Sequence, residues 1–147
     1  MSPDDITLRT VVVNADNRLQ RHLQKFIVAD KRIDVIRFFK TGRQMVNYMR
    51  SNEEIDLIVI NPELPDTSAF EAFQMIPKER IPLIVMISER HDYAYFAYQM
   101  DVTDFLDMLF TRPEYELSLN KVQREFVIRR LFSEWSDIWH FASYPTY

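Results

Sequence analysis

The sequence predicts an α/β fold, a three-layer α/β/α sandwich built around a five-stranded parallel sheet. Short apolar segments alternate five times with segments of helical periodicity along the 147 residues. Several of the apolar segments are nearly continuous, which is typical of strands covered by helices on both faces. Parallel neighbours also require a long crossover connection, and the helical segments supply one between successive strands. The chain is long enough for one domain with a substantial core.

Five segments are predicted as strands. The first contains three consecutive valines, Val11, Val12 and Val13, and the third and fourth are almost entirely apolar. Such runs fit strands buried on both faces better than strands with one face in water. The predicted strands are Leu8–Ala15, Ile33–Lys40, Ile55–Ile60, Ile81–Ser88 and Thr103–Leu109.

Five helices are predicted between and after these strands. In the first, apolar residues recur at positions i, i+4, i+7 and i+8, which describes an amphipathic helix. These residues are Leu19, Leu23, Phe26 and Ile27. The third helix is expected to be capped by Asp66, Thr67 or Ser68. The fourth is predicted at Asp92–Met100, and the last has Pro113 in its first turn, where proline is favoured.

The composition excludes several kinds of site. The chain has no cysteine, which rules out disulfides, zinc–thiolate centres and cysteine nucleophiles. Gly42 is the only glycine, so a glycine-rich phosphate or dinucleotide loop cannot be written. The net charge of -4 disfavours a general nucleic-acid binder, although a local basic patch stays open. No apolar run approaches the roughly 18 residues of a membrane span, and the polar N-terminus does not resemble a signal peptide, so we expect a cytoplasmic protein.

The residues that follow each strand are the first candidates for a functional site. In open parallel sheets, ligands bind beyond the carboxyl ends of the strands. The sequence places Asn14–Asp16, Asn61, Ser88–Glu89 and Met108 at such positions.

Two segments resemble the CheY-like receiver domains of two-component response regulators. The first is DLIVINPELPDTSAFE, with an apolar strand, a polar residue at its end, and a Leu-Pro pair before the next helix. The second is YAYFAYQMDVTDFLDMLFTRPEYELSLNKV (Tyr93–Val122), which is similar to the LytTR-type subgroup. Gly42 also stands where the family has a glycine after the second strand. The resemblance covers about residues 8–125 and implies a flavodoxin-like sheet in the order 2-1-3-4-5.

The resemblance implies a changed acidic pocket. Receivers carry two acidic residues that bind Mg²⁺ after the first strand, and the matching positions here are Asn14 and Ala15, with Asp16 one place further on. The phosphoacceptor aspartate of the family corresponds to Asn61. An amide oxygen is a far weaker nucleophile than a carboxylate, and Mg²⁺ prefers charged oxygen ligands. We therefore expect no Mg²⁺ cofactor and no aspartyl phosphate.

The resemblance also assigns the switch and lysine positions. The Thr/Ser switch residue corresponds to Ser88 and the aromatic switch residue to Phe105. The Lys-Pro pair of the family is replaced by Met108 and Leu109, so the cation that would support phosphoryl transfer is absent as well. The sequence thus predicts a pseudo-receiver, meaning a receiver scaffold that acts by protein–protein contact without phosphorylation and is not an enzyme.

Other hypotheses stay open at this point. Phosphorylation could use a non-standard acid, Asp16 or Glu63, and a weak cation site could form from these two with Asp66 and Glu89. The chain could also be the regulatory half of a LytTR-type DNA-binding transcription regulator. An enzyme is disfavoured, because the nearest histidine to Ser88 is His91 and the following helix should direct it elsewhere.

Two surfaces are predicted to bind proteins. The fourth helix carries Tyr93, Tyr95 and Tyr98, and aromatic residues are favoured in interface cores. Its Phe96 and Ala97 are expected to pack in the core instead. We divide the chain into a receiver-like domain at 1–125 and a helical, aromatic extension at 126–147 that carries Trp135 and Trp139. The extension is expected to pack back on the domain, to pack on another copy of the chain or to connect to a partner domain. We expect a homodimer that contacts a signalling kinase or a downstream effector.

Overall fold

The computed structural model describes residues 6–51 and 54–143, with side chains described as far as Trp135. Within this part of the chain, strands and helices alternate as the sequence predicts. The strands are β1 (Leu8–Val13), β2 (Ile33–Phe39), β3 (Leu57–Ile60), β4 (Leu83–Ser88) and β5 (Asp104–Asp107). The helices are α1 (Asn17–Ile27), α2 (Gly42–Met49), α3 (Ala69–Gln74), α4 (Tyr93–Gln99) and α5 (Arg112–Ser143).

The five strands form one parallel sheet in the order β2-β1-β3-β4-β5. This confirms the predicted flavodoxin-like topology. β1 lies between β2 and β3, where Val13 is level with Phe39 of β2 and Ile60 of β3. The residues that follow these three strands therefore emerge together at one edge of the sheet.

Each face of the sheet carries its own apolar core. Beneath α1 and α5, the core includes Leu8, Val12, Leu23 and Leu119. On the opposite face, beneath α2, α3 and α4, it includes Val11 and Val13 together with residues of those helices, Met45, Val46, Ala72, Phe73 and Ala97. Neighbouring valines of β1 thus point to opposite faces of the sheet, because successive side chains alternate along a strand. This is why the first strand is apolar almost throughout.

Side-chain caps start the first three helices. Asp16 caps α1, Thr41 forms a capping box with Gln44 at the start of α2, and Ser68 caps α3. Among the three residues predicted to cap α3, Ser68 fulfils the role. Asp66 instead accepts hydrogen bonds from the backbone N–H groups at the start of α2.

α4 differs from the prediction in one residue. Ala97 is buried as expected, but Phe96 is 51% exposed. α4 turns Ala97 to the sheet, with Met100 partly buried at its end, and Phe96 lies about 100° around the helix from Ala97. Phe96 instead lies beside Phe70 of α3, with the ring centroids 5.6 Å apart.

α5 runs for 32 residues and passes through the predicted boundary between residues 125 and 126. Its inner side packs on the domain through Tyr115, Leu119 and Val122. The division into a domain and an extension stays a prediction, since the helix is continuous there. Within the described residues, no helix has the length and apolar character needed to cross a membrane.

Candidate functional site

The candidate site lies at the carboxyl ends of β1 and β3. Asn14 follows β1 and donates its backbone N–H to Phe39 O at 2.9 Å, while Asn61 follows β3 and donates its own to Val13 O at 3.0 Å. Sheet-like pairing thus continues one residue past the strands and sets the two asparagines side by side. Both are buried, with 7% and 5% of their surfaces exposed.

The two side-chain amides are hydrogen-bonded to each other. Asn61 Nδ2 donates to Asn14 Oδ1 at 3.1 Å. The same oxygen accepts the backbone N–H of Asp16 at 3.0 Å, and Asn14 Nδ2 donates to Asp16 O at 2.8 Å and to Gln20 Oε1 at 3.3 Å. Asn61 Oδ1 accepts the backbone N–H of Glu63 at 3.0 Å.

This network fixes the orientation of Asn14. The amide must present its oxygen to one backbone donor of Asp16 and its nitrogen to the carbonyl of the same residue. Its oxygen therefore faces Asn61, and a donor is needed at position 61 to complete the pair. A carboxylate there would place two acceptors against each other, which costs free energy in a buried site.

Ala15 and Asp16 complete the first predicted pocket segment. Ala15 is exposed and offers a methyl group. Asp16 Oδ1 accepts the backbone N–H groups of Arg18 at 2.8 Å and Leu19 at 3.1 Å, which makes it the N-cap of α1. Its carboxylate therefore supports the start of the helix, where an anion is favoured.

The other acids of this rim each have their own partner. Glu63 pairs with Arg90 at 3.1 Å, and Glu89 pairs with Arg18 at 3.2 Å. Burial alone would raise the pKa of Asp66, but hydrogen bonds from two backbone N–H groups at the start of α2 outweigh it and lower the pKa. Among the residues the structure describes, no three histidine, aspartate or glutamate side chains converge as a metal site would require.

Arg90 holds together the loop after β4. Its guanidinium donates to Asp92 at 2.6 Å, to Glu63 at 3.1 Å and to the hydroxyl of Tyr93 at 3.1 Å. It also lies over the Tyr93 ring, 4.5 Å from the centroid. The hydrogen bond from Arg90 lowers the pKa of Asp92 below its ordinary value.

Three further residues, Arg90, Arg18 and Gln20, contact the site and are not predicted from the sequence. Arg90 and Arg18 each lie two residues beyond a predicted site residue, Ser88 and Asp16. Their closeness in sequence to those two residues is the only indication of their role, because each ion pair joins segments that follow different strands. Partners so distant in sequence leave no local pattern.

The remaining predicted site residues lie in separate surroundings. Ser88 is buried, and its hydroxyl accepts the backbone N–H of Arg90 at 3.0 Å. Phe105 is half-buried and packs against the core beneath α4, whereas Met108 is buried in the core beneath α1 and α5. The structure thus joins Asn14, Asp16 and Asn61 in one hydrogen-bond network. Met108 lies in the apolar core, and its side chain carries no charge.

His91 does not pair with Ser88. Its Nε2 lies 2.8 Å from Oδ2 of Asp107, and the pKa of that carboxyl is lowered by a hydrogen bond from the backbone N–H of Leu109 and by His91. The hydroxyl of Ser88 is instead engaged by the backbone of Arg90. This arrangement gives no support to a serine nucleophile with a histidine base.

The aromatic residues of α4 divide between the domain and the solvent. Tyr95 and Tyr98 are 65% and 81% exposed. Tyr93 is partly buried and packs beside Phe70, with the ring centroids 5.8 Å apart. On α5, Trp135 is exposed, whereas the side chain of Trp139 lies outside the described part of the structure.

Comparisons with known proteins agree with this fold. The family model described as response regulator receiver domain matches residues 11–117. The non-phosphorylated HemR receiver domain from Leptospira biflexa is 23% identical, with a TM-score of 0.64 over 80% of this chain and 94% of that one. The response regulatory domain of mrkE from Klebsiella pneumoniae is 16% identical, with a TM-score of 0.69 over 80% and 97%.

A third solved structure is similar over more of this chain. The signal receiver domain of a putative Luxo repressor protein from Vibrio parahaemolyticus is 18% identical, with a TM-score of 0.70 over 86% of this chain and 98% of that one. At these identities the similarity shows the shared fold. No curated protein sequence matches the chain.

Proposed function

Because the chain belongs to the response regulator receiver domain family, we propose that it serves two-component signalling as a pseudo-receiver, which works by contact with other proteins and without aspartyl phosphorylation. The observation that carries this proposal is the buried hydrogen bond between Asn61 and Asn14. Amides stand at two positions where the family resemblance leads one to expect acids.

The side chain at position 61 is not the nucleophile that phosphorylation of a receiver requires. Phosphorylation of a receiver forms a bond between a carboxylate oxygen and phosphorus while the bond to the donor's leaving group breaks. The oxygen at position 61 belongs to a neutral amide and already accepts the backbone N–H of Glu63 at 3.0 Å. It has neither the charge nor the freedom of a nucleophile.

The pocket side chains also do not suit the Mg²⁺ ion that receivers use. Mg²⁺ requires a near-octahedral set of hard oxygens, preferably charged ones. Here the matching side chains are Asn14, Ala15 and Asn61, and both amide oxygens accept hydrogen bonds within the protein. The residues present therefore do not fit a Mg²⁺ ion.

The acids near the pocket that could replace the missing phosphoacceptor already have structural contacts. Asp16 caps α1 through two backbone N–H groups, and Glu63 is paired with Arg90. Phosphorylating either residue would remove a contact that the folded domain uses. We therefore assign both acids structural roles and propose that neither is a phosphoacceptor.

The protein-binding surface that we propose is the exposed side of α4. Tyr95 and Tyr98 offer large apolar surfaces with a polar tip, and such residues are enriched among interface hot spots. Phe96 lies beside them and is half exposed. The partner is a signalling kinase or a downstream effector protein.

The test of this function is incubation of the full chain with Mg²⁺ and a small phosphodonor, followed by intact-mass measurement and peptide mapping. We expect the mass to stay unchanged. A matched variant, Asn61→Asp, should also stay unmodified, because Asn14 and Ala15 still provide no metal ligands. A stoichiometric acid-labile adduct on the unmodified chain, mapped to Asp16 or Glu63, would overturn the proposal.

A further inference from the structure

α5 continues far beyond the last residue that it buries in the domain. Val122 is fully buried, and Phe126 and Val127 pack partly against the same core. From Ile128 to Ser143 the helix has 16 further residues (143 − 128 + 1), a length of roughly 24 Å at about 1.5 Å per residue. A helix of this length is marginal in water by itself, so its stability depends on what packs against it.

The projecting part of α5 exposes an apolar stripe. Ile128, Leu131, Phe132 and Trp135 are 54%, 59%, 70% and 62% exposed. They recur at i, i+3, i+4 and i+7, so they lie along one side of the helix. The sequence continues the same spacing with Ile138 and Trp139, whose side chains lie outside the described part of the structure.

The other side of this part of the helix is polar. Arg129, Arg130, Ser133 and Glu134 fall between the apolar positions and are exposed. At about 100° per residue they point away from the stripe. The helix is therefore amphipathic beyond the domain, and the four side chains of its apolar stripe are each more than half exposed within the part of the chain that the structure describes.

We propose that the stripe formed by Ile128, Leu131, Phe132 and Trp135 is a self-association surface that packs against the same stripe of a second copy of this chain. Apolar residues at alternating spacings of three and four are the pattern of a helix seam between two chains. A two-fold arrangement uses one patch twice, so a surface complementary to itself suffices.

The exposed area is adequate for such a dimer. Aromatic side chains bury about 150–250 Å² each and aliphatic ones somewhat less, so the exposed parts of these four amount to roughly 500 Å² per chain. Two copies would cover roughly 1,000 Å², which reaches the lower bound of specific interfaces. A continuation of the seam toward Ser143 would add to this area.

This inference goes beyond the proposed pseudo-receiver function and does not depend on it. The stripe begins after the residues that close the domain core, whereas the Asn14–Asn61 pair lies at the carboxyl edge of the sheet. A dimer could form whether or not the pocket accepts a phosphoryl group. The two proposals can therefore fail separately.

The experiment is sedimentation equilibrium of the full chain over a dilution series in the micromolar range. We expect a mass of twice 17.7 kDa at high concentration. Leu131→Glu should raise the dimer dissociation constant at least ~30-fold, because a symmetrical interface would bury two added charges. Phe132→Arg should have the same effect. Both residues are exposed in the single chain, so the domain itself should unfold at the unchanged temperature.

Two control variants locate the surface. Ser133→Glu adds the same charge on the opposite side of α5, and Asn120→Glu adds it at an exposed position of α5 alongside the domain. Both should dimerise as tightly as the unmodified chain. The proposal is overturned by a chain that keeps its single-chain mass at the highest concentration. It is also overturned if both stripe variants dimerise normally, or if either control abolishes the dimer.

Discussion

Nδ2 of Asn61 lies 3.1 Å from Oδ1 of Asn14, so two neutral amides close the edge of the sheet between β1 and β3. Both side chains are buried, and each has hydrogen-bond partners for its oxygen and its nitrogen. Two unit negative charges at this distance would repel each other by about 5 kcal/mol at an effective dielectric constant of ~20. The neutral amide pair avoids this repulsion and forms a hydrogen bond instead.

Asn61→Asp should destabilise the domain at neutral pH. The introduced carboxylate would face the oxygen of Asn14, whose orientation is fixed by the backbone of Asp16. We expect a loss of about 1–3 kcal/mol in the free energy of unfolding, measured by urea denaturation. Asn120→Asp, which adds the same charge at an exposed position of α5, should change it by less than about 0.5 kcal/mol. Equal stability of the two variants would contradict the account.

Gly42→Ala should destabilise the start of α2. A Cβ atom at this position would overlap Cγ2 of Thr67, and the Thr67 side chain is held by hydrogen bonds to Ser68 and Glu71. We expect a loss of about 1–3 kcal/mol, measured by thermal unfolding. Thr67→Ser removes Cγ2 and keeps the hydroxyl, so the double variant should recover most of the loss. If the two substitutions prove additive, the steric explanation fails.

Asp30→Asn should weaken the domain at neutral pH and have little effect in acid. Burial would raise the pKa of Asp30, but hydrogen bonds from Arg32 and from the hydroxyl of Tyr115 outweigh it and lower the pKa. A lowered carboxyl pKa stabilises the fold above the unfolded value of about 4, and this stabilisation is lost as the pH falls through the folded pKa.

Urea denaturation at neutral pH and in acid, compared between Asp30→Asn and the unmodified chain, measures this dependence. The gap in unfolding free energy should be about 1–3 kcal/mol at neutral pH and should shrink below about pH 4. Asp34→Asn removes the same charge from an exposed position of β2 and serves as the control. A gap that is constant with pH would show that the charge of Asp30 is not the cause.

The sequence was sufficient to predict the order of strands and helices and the topology of the sheet. The evidence was the nearly continuous apolar runs, such as Val11–Val13, together with the spacing of Leu19 and Leu23 in α1. Those patterns depend only on which sides of each element are buried. These patterns can therefore be recognised in the sequence without knowledge of any contact.

The site was predictable in position but not in detail. Ligand sites of open parallel sheets lie at the carboxyl ends of the strands, and this was sufficient to assign Asn14 and Asn61 to one site from the sequence alone. The role of Asp16 as a helix cap and the ion pair between Arg90 and Glu63 were not predicted, because both depend on backbone geometry and on loops joined through space. The prediction that Phe96 packs in the core is wrong, because it lies about 100° around α4 from Ala97, the residue that faces the sheet.

The measurement that tests the central claim most directly is a Mg²⁺ titration followed by the side-chain amide resonances of Asn14 and Asn61 in ¹⁵N–¹H spectra. The account predicts that neither pair of resonances shifts in a saturable way, with or without beryllium fluoride as a phosphoryl mimic. The combined variant Asn14→Asp, Ala15→Asp, Asn61→Asp and Met108→Lys, followed through backbone amides of the same loops, is the positive control for restored binding. Saturable shifts of Asn14 and Asn61 in the unmodified chain, accompanied by shifts at Asp16 or Glu63, would contradict the claim that this receiver works without metal and phosphate.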